Sequence, residues 1–502
     1  IPDEIEDPAT ARNGYGSIRR ISSTTSSQTI KPKPPSAARA IAPDLLRGLL
    51  MVFMSLDHNA MALHSWPHGT AVDGENDSGP VQEWNRPLAL TMRLLTHLCA
   101  PGFTFLLGMG VVYFGRSRTN LGWSAGQMVR HFAVRAVVLT MVSVAMGLIM
   151  SGGKIWFFNI VLFALAVDYL LAGLLWMAVA RTEKGLGYLL LKVLPRAGDE
   201  GREPLLSERR GEDRLDIAPD RAIIRAADVS WHIHNALLLG LAAVAIWWNV
   251  WLSPTGGHCG VEPRWDKPES VWIQIWFWPV MGSMTDRVVS GFPPMAWLSF
   301  AILGLLYGRV VLARSWSTKA INVANAAAGA AFSLVFVLTR LFHFGNLSEG
   351  CLHMPEHVAH PEGNQYLASV ASFFYLVKYP PDVAFWSLTM GVNFFLLALF
   401  GSIPPAAAKR VFHVLLVYGT SALFFYVAHI FLLFFTGSWM VALVGHTLDS
   451  KDPWTGAPGT GVDQVWAIFA NLGLGLAILY PSCRWYGAFK RTKGPDSLWR
   501  FF

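Results

Sequence analysis

The side chains best suited to proton transfer lie close together near residue 60. Asp57 and His58 end an apolar run, and His64 follows Asp57 by seven residues. Positions seven apart share one face of a helix, so we expect Asp57 and His64 to line one cavity. A neutral imidazole removes protons from attacking amines or hydroxyls, and it can also carry an acyl group. The pattern predicts His64 as a general base or transient acyl carrier, with Asp57 as its orienting partner.

Neighbouring residues offer alternatives for the same chemistry. Arg93 and His97 are four residues apart and share a face of the next predicted helix. We expect Arg93 or a histidine to neutralise Asp57, and a purely structural ion pair between two helices is the alternative. His58, His68 and His97 stay open as the base. Because ionisable groups inside apolar runs are costly and mark functional sites, the polar residues expected on the substrate side are Arg93, Arg340 and Lys378.

The loop histidines give a weaker signal. His353, His357 and His360 have metal-like spacing, but no cysteine pair or carboxylate pattern completes a site. We therefore expect a solvated loop here and no metal. The chain also has no phosphate-binding Gly loop and no His-Glu-x-x-His string, so the sequence gives no support to ATPase or metalloprotease functions.

The composition indicates a membrane protein. Of the 502 residues, 53% are hydrophobic and only 15% are charged, with a mean hydropathy of +0.38. Soluble proteins carry about 25% charged residues. The formal net charge is +7, but the basic residues sit in short connections between apolar runs, so we expect no nucleic-acid partner. We predict an all-α, polytopic protein surrounded by the lipid bilayer.

Ten apolar runs are each close to the roughly 20 residues that a helix needs to cross a bilayer. Two further segments, 271–280 and 369–379, are too short to span and are expected to be re-entrant or interfacial. The runs predict about ten transmembrane helices, at 41–63, 94–114, 132–150, 155–180, 232–252, 292–313, 320–342, 382–402, 411–436 and 463–482.

The distribution of Lys and Arg predicts the orientation of these helices. With the N-terminus inside, the inner segments carry 29 basic residues and the opposite loops carry seven. Both termini are therefore expected in the cytoplasm. The expected parts of the chain are a disordered basic tail (1–40), a transmembrane domain (41–490) that contains a mobile cytoplasmic loop (181–230), and a cytoplasmic C-terminal end (491–502).

The loops on the outer side carry two features of the secretory pathway. The Asn-x-Ser sequons at Asn76 and Asn346 predict glycosylation there. Cys259 and Cys351 are the cysteines of the outer loops, and a disulfide between them suits an oxidising compartment; two unpaired thiols are the alternative. We expect an integral membrane protein of a eukaryotic endomembrane, such as a lysosome or vacuole, or of the plasma membrane.

Several strings in the apolar runs resemble one family. Over residues 41–490, the chain is similar to the catalytic-domain family of heparan-alpha-glucosaminide N-acetyltransferase, and above all to its microbial members. The matching strings keep the order of that family and are APDLLRGLLMVFMSLDH (42–58), RLLTHLCAPGFTFLLGMG (93–110), GFPPMAWLSFAILGLLYG (291–308), LVKYPPDVAFWSLTMG (376–391), LFFYVAHIFLL (423–433) and ILYPSCRWYGAFK (478–490).

The resemblance implies a transmembrane acetyltransferase. Acetyl-CoA is the implied cytosolic co-substrate, and the implied acceptor is an amino or hydroxyl group of a small sugar or glycan on the lumenal or extracellular side. His64-Ser65-Trp66 is the nearest match to the family's catalytic His-Ala-Ser-Trp, and Asp57 stands where the animal enzymes have Asn. The donor's phosphates need cationic partners on the inner side, for which we name Arg47, Arg130, Arg135 and Arg309.

A secondary transporter or channel with the same ten-helix topology is the alternative function. Buried charges within ten helices also describe carriers, and internal inverted repeats would favour one. Helices one to five show no convincing match to helices six to ten, so the enzyme is the preferred hypothesis. A homodimer stays open in either case.

Overall fold

Helices dominate the computed structural model, as the apolar runs predict. It describes residues 41–66, 75–83, 87–159, 161–193, 221–280, 287–451, 458–494, 497 and 499. The predicted tail, His68 and the middle of the predicted loop, 194–220, lie outside the described residues.

The helices are α1 (Ala42–Ala62), α2 (Pro87–Thr96), α3 (Cys99–Asn120), α4 (Ala125–Met150), α5 (Leu162–Val193), α6 (Arg221–Trp251), α7 (Val271–Phe277), α8 (Pro294–Ala313), α9 (Thr318–Phe342), α10 (Pro355–Ala359), α11 (Val370–Phe373), α12 (Val383–Gly401), α13 (Pro405–Val411), α14 (His413–Thr420), α15 (Ala422–Val444) and α16 (Val465–Arg491). A 3-10 helix covers Gln365–Leu367. Four short strands are β1 (Phe157–Asn159), β2 (Val288–Ser290), β3 (His446–Lys451) and β4 (Pro458–Gly461).

Nine helical segments of the described chain are long and apolar enough to cross a membrane, and the protein is therefore an integral membrane protein. They correspond to the second through tenth predicted spans. Helix α1, the first predicted span, has 21 residues and measures about 31 Å at 1.5 Å per residue. It is not among the nine, and it carries the charged residues Asp44, Arg47 and Asp57. Its polar residues are tolerated in the interior, where α1 packs among α3, α12, α14 and α15.

Three predicted limits are wrong. The fourth span does not begin at 155, because the chain there is extended and β1 pairs in parallel with β2. The ninth span is broken at Ser421, whose hydroxyl donates to the carbonyl of Cys483 at 3.1 Å. The predicted mobile loop is helical at both ends, since α5 continues to Val193 and α6 begins at Arg221.

The loops separate into two faces of the helix bundle. We call the face where α1 begins at Ala42 the proximal face, and the face where α1 ends at Ala62 the distal face. Among the described residues, the isolated β-bridges lie in distal loops, and the parallel pair of β1 and β2 lies there as well. The two segments predicted to be re-entrant or interfacial contain the short helices α7 and α11, which lie on this face.

The distal loops are also joined covalently. The predicted disulfide is confirmed: Cys259 and Cys351 are bonded, with Cα atoms 5.1 Å apart. Next to it, the chain bridges from His258 to Glu349, and the amide of Cys259 donates to the carbonyl of Glu349 at 2.9 Å. The loop after α6 is thereby fixed to the loop after α9.

Close approach of α3 and α8 provides a test of the packing. A Cβ added at Gly304 would collide with the carbonyl of Phe105, whereas one added at Gly473 of α16 meets nothing within 4 Å. Overpacking costs about 1–3 kcal/mol, and Gly to Ala in an open helix position gains up to about 1 kcal/mol. Gly304→Ala should therefore lower the melting temperature of the detergent-solubilised protein, while Gly473→Ala should not. Equal melting temperatures for the two variants would show that α3 and α8 pack less closely than in this structure.

Candidate active site

A buried guanidinium joins two carboxylates beneath the distal face. Arg93 donates from Nη1 to Asp57 at 2.6 Å, and from Nε and Nη2 to the two oxygens of Glu75 at 2.8 and 2.6 Å. Arg93 is 2% exposed and Glu75 is fully buried. The predicted neutralisation of Asp57 by Arg93 is confirmed. Sequence reasoning missed Glu75, because it lies in a loop with no periodicity to place it.

His97 belongs to the same network. Its Nε2 lies 3.1 Å from Oε1 of Glu75, and its ring packs edge-on against Phe385. Burial alone would raise the pKa of Glu75, but the charge of Arg93, together with His97 and the hydrogen bonds from both, holds that pKa well below its usual range. Glu75 is therefore a carboxylate, and the buried charges are paired as such groups must be.

One cavity runs along α1 from the proximal half of the bundle to this network. Its volume is about 390 Å³, which is in the range of small-molecule sites. Along α1, about 16 Å of helix axis separates Arg47 from His58 at 1.5 Å per residue. The proximal part is lined by Arg47, Phe114, Arg135, Tyr169 and Lys490, the middle by apolar side chains such as Met51, Met54, Phe103 and Leu106, and the distal end by Asp57, His58, Thr96, Cys99, Phe292, Lys378 and Tyr379.

Two histidines define the proton donors and acceptors at the distal end. Nδ1 of His429 lies 3.0 Å from the carbonyl of Phe425, which can only accept, so this nitrogen carries the proton. Nε2 of neutral His429 is then an acceptor, and Nδ1 of His58, 2.7 Å away, donates to it. The lone pair of neutral His58 is therefore on Nε2. Sequence reasoning did not assign His429 to the site, because its partner is 371 residues away.

His64 lies away from this cavity. Helix α1 ends at Ala62, and His64 follows with a left-handed φ of 53°. The carbonyl of Leu63 accepts from the amide of Val462 at 2.9 Å, which turns the chain toward β4. His64 is exposed, and its Nδ1 is 3.3 Å from the carbonyl of Thr460. The expectation that Asp57 and His64 line one cavity is wrong. The histidine that lines the cavity together with Asp57 is His58.

The four predicted donor-binding arginines are divided by the structure. Arg47 and Arg135 line the proximal part of the cavity. Arg130 is exposed on α4, on a surface away from it. Arg309 donates to Glu183 at 2.6 Å and to Asn235 at 3.0 Å, so it ties α8 to α5 and α6 instead of facing the cavity.

Arg340 and Asn346 belong to a separate polar core under the distal loops. Arg340 is fully buried, donates to Oδ1 of Asn346 at 2.9 Å and lies 4.4 Å from the ring centroid of Tyr366. Nδ2 of Asn346 donates to Glu349 at 2.6 Å. Because Asn346 is 2% exposed with both amide atoms engaged, a glycan on it is incompatible with this fold, and that predicted site is wrong. Asn76 is half-buried, and its glycosylation stays a prediction.

One hydrolase-like string is explained by helix capping. Residues 122–126 read Gly-Trp-Ser-Ala-Gly, the pattern of a serine nucleophile elbow. Here Oγ of Ser124 accepts from the amide of Gln127 at 3.3 Å and caps α4. The string therefore gives no support to a serine hydrolase.

Comparison with known proteins does not extend this description. No family model matches the chain, and no curated protein matches it significantly. The function is therefore argued from the geometry of the cavity and from the chemistry of the residues that line it.

Removing one carboxylate tests the ion network. Glu75→Gln should destabilise the protein by about 3–5 kcal/mol, because it breaks a buried ion pair, whereas Glu83→Gln, at an exposed position on the same loop, should change the stability by less than about 0.5 kcal/mol.

The pH dependence gives a second readout of the same variant. Since the pKa of Glu75 is lower in the folded protein, its contribution to stability is present above the pKa of the carboxyl group in the unfolded chain, 4.5, and is lost as the pH falls through the folded pKa. Thermal melts of the wild type and of both variants from pH 7 down to about pH 3 measure this. The network would be contradicted if Glu75→Gln and Glu83→Gln melted at the same temperature. It would also be contradicted if the melting temperature of Glu75→Gln fell at low pH as steeply as that of the wild type.

Proposed function

We propose that the protein is a transmembrane acyltransferase that takes the acetyl group from cytoplasmic acetyl-CoA and transfers it to an amino or hydroxyl group of a sugar on the other side of the membrane. The observation that carries the proposal is the cavity. It has basic side chains in its proximal part, an apolar middle and a histidine beside a carboxylate at its distal end. Acetyl-CoA has the complementary order: a polyanionic nucleotide, an uncharged arm and a terminal thioester.

The proximal part of the cavity suits a phosphorylated nucleotide. Arg47 and Lys490 enter from α1 and α16, and Arg135 lies over the ring of Tyr169 at 4.7 Å. Arginine is the residue best suited to bidentate phosphate binding. Phe114 also lines this part and stacks on His131 at 4.1 Å, which supplies aromatic surface for a purine ring.

The distal end suits proton removal during acyl transfer. The acceptor nitrogen or oxygen attacks the thioester carbonyl carbon while Nε2 of His58 takes its proton. The new bond to the acceptor forms, the bond to sulfur breaks, and the CoA thiolate leaves with that proton. His429 holds the required tautomer of His58 through their 2.7 Å hydrogen bond. Asp57, fixed by Arg93 at 2.6 Å, keeps a negative charge next to the imidazolium that forms.

Two histidine variants test the proposal. Purified protein is incubated with radiolabelled acetyl-CoA and glucosamine, and both CoA release and acetylated sugar are measured. His58→Asn should lower turnover by about 10²–10⁴, the usual effect of a positioned general base, while acetyl-CoA binding is retained. His64→Asn is the matched control and should remain near wild type, since His64 lies outside the cavity.

Three results would decide against the assignment. If His64→Asn abolishes turnover and His58→Asn does not, the base is His64. If both variants remain active, the chemistry does not occur at this end of the cavity. If wild-type protein binds acetyl-CoA but releases no CoA with any acceptor, the carrier becomes the better hypothesis.

A further inference from the structure

We propose that Lys378 is the electrophilic group of this site, and that its ammonium stabilises the negative charge that develops on the thioester carbonyl oxygen. The inference rests on the proposed acyl transfer and adds a residue to it. Lys378 comes from the loop before α12, whereas Asp57 and His58 come from α1, and all three line the distal end of the cavity.

The side chain is buried in the cavity wall, and among the described residues its ammonium forms no ion pair. Lys378 is 6% exposed. Within the part of the chain that the structure describes, no carboxylate oxygen lies within 4.0 Å of its Nζ, and no side-chain hydrogen bond holds it. Its Nζ instead lies 5.4 Å from the ring centroids of both Phe292 and Tyr379. Three N–H donors are thus available in the cavity that contains the base.

The neighbouring carboxylates are already engaged. Asp57 and Glu75 are bonded to Arg93, and Glu75 is also within 3.1 Å of His97. Counting Asp57, Glu75, Arg93 and Lys378, the fixed charges sum to zero. The positive charge of Lys378 is therefore balanced by the other charged groups of the site without a direct ion pair. Such a group is costly to bury, and an ionisable residue kept within a membrane bundle at that cost marks a functional role.

The backbone fixes the position of this lysine relative to the ion network. The amides of Lys378 and Tyr379 both donate to the carbonyl of Glu75, at 3.1 and 3.0 Å. The same residue whose carboxylate holds Arg93 thus holds the chain segment of Lys378. This arrangement fixes a positive charge in the wall of the cavity that the base also lines, and a pre-organised charge is the condition under which an electrostatic group lowers a reaction barrier most.

The acceptor atom attacks the carbonyl carbon, the π electron pair of the carbonyl moves to its oxygen, and Nε2 of His58 takes the acceptor's proton. The resulting oxyanion accepts a hydrogen bond from Nζ of Lys378, which stays protonated throughout. The oxygen then returns its electron pair, the carbon–sulfur bond breaks, and the thiolate of CoA takes the proton from His58.

Substitution of Lys378 separates oxyanion stabilisation from a role in binding acetyl-CoA or in folding. Removing one oxyanion donor typically lowers kcat by about 10²–10³. We expect Lys378→Met and Lys378→Gln to show that loss with little change in the KM for acetyl-CoA, and Lys378→Arg to recover part of the rate. Lys154→Met, at an exposed position on the distal face, is the matched control and should be unaffected. Binding of CoA and the elution profile on size exclusion show whether each variant is folded.

A pair of acceptors distinguishes oxyanion stabilisation from binding of an anionic acceptor. Turnover is measured with glucosamine and with glucosamine 6-phosphate. The proposal expects the same loss of kcat for both. It is overturned if kcat changes by less than about threefold, or if only the KM for glucosamine 6-phosphate rises, because Lys378 then binds the acceptor. If wild-type protein transfers no acetyl group to either sugar, the proposed function fails and this role fails with it. If the wild type transfers acetyl groups and the lysine variants do so equally well, the function stands without Lys378.

Discussion

Arg93 lies between two carboxylates in a part of the bundle that water scarcely reaches, and the site depends on this contact. On one side it holds Asp57 of α1, and on the other it holds Glu75 in the loop before α2. The carbonyl of Glu75 in turn accepts from the segment that carries Lys378. One guanidinium therefore positions an acid on the first helix, a loop on the distal face and the lysine of a third segment. A lysine could not replace it, because only the planar guanidinium can donate to both carboxylates at once with this geometry.

The bilayer explains why the proposed transfer requires a cavity. A polyanionic donor cannot enter hydrocarbon, because unpaired charges there are costly. In the proposed function, a protein-lined passage along α1 would bring only the uncharged arm of such a donor into the interior, while the basic residues would retain its phosphates. Helix α1 is not among the nine apolar helices, and the proposed function gives its polar residues a role: Arg47 and Asp57 lie near its two ends and both line the cavity.

Much of the fold could be predicted from the sequence because lipid imposes strong constraints. Apolar runs of bilayer length gave nine of the ten expected helices directly, and the two outer-loop cysteines gave the disulfide. Helix ends were less accurate, as at Ser421, because hydrogen bonds to distant residues decide where a helix breaks. The site was predicted only in part. Asp57 and Arg93 were expected to meet, since each stood out as a charge in an apolar run.

The remaining parts of the site depend on contacts that sequence spacing does not encode. Seven-residue spacing placed His64 on the face of Asp57, but the helix ends at Ala62 and the spacing rule no longer applies. His429 reaches His58 from α15, and Glu75 reaches Arg93 from a loop. Both were missed because their partners are distant in sequence or lie in irregular structure. Lys378 was expected on the substrate side, and its contacts with two aromatic rings required the structure.

The proposed function requires that an acetyl group crosses the membrane through this cavity while CoA does not. The most direct measurement uses sealed vesicles of defined orientation, with radiolabelled acetyl-CoA at the proximal face and glucosamine enclosed at the distal face. The account predicts labelled N-acetylglucosamine inside the vesicles and free CoA outside. Intact labelled acetyl-CoA inside the vesicles, or acetylated sugar only when both substrates share one face, would contradict it.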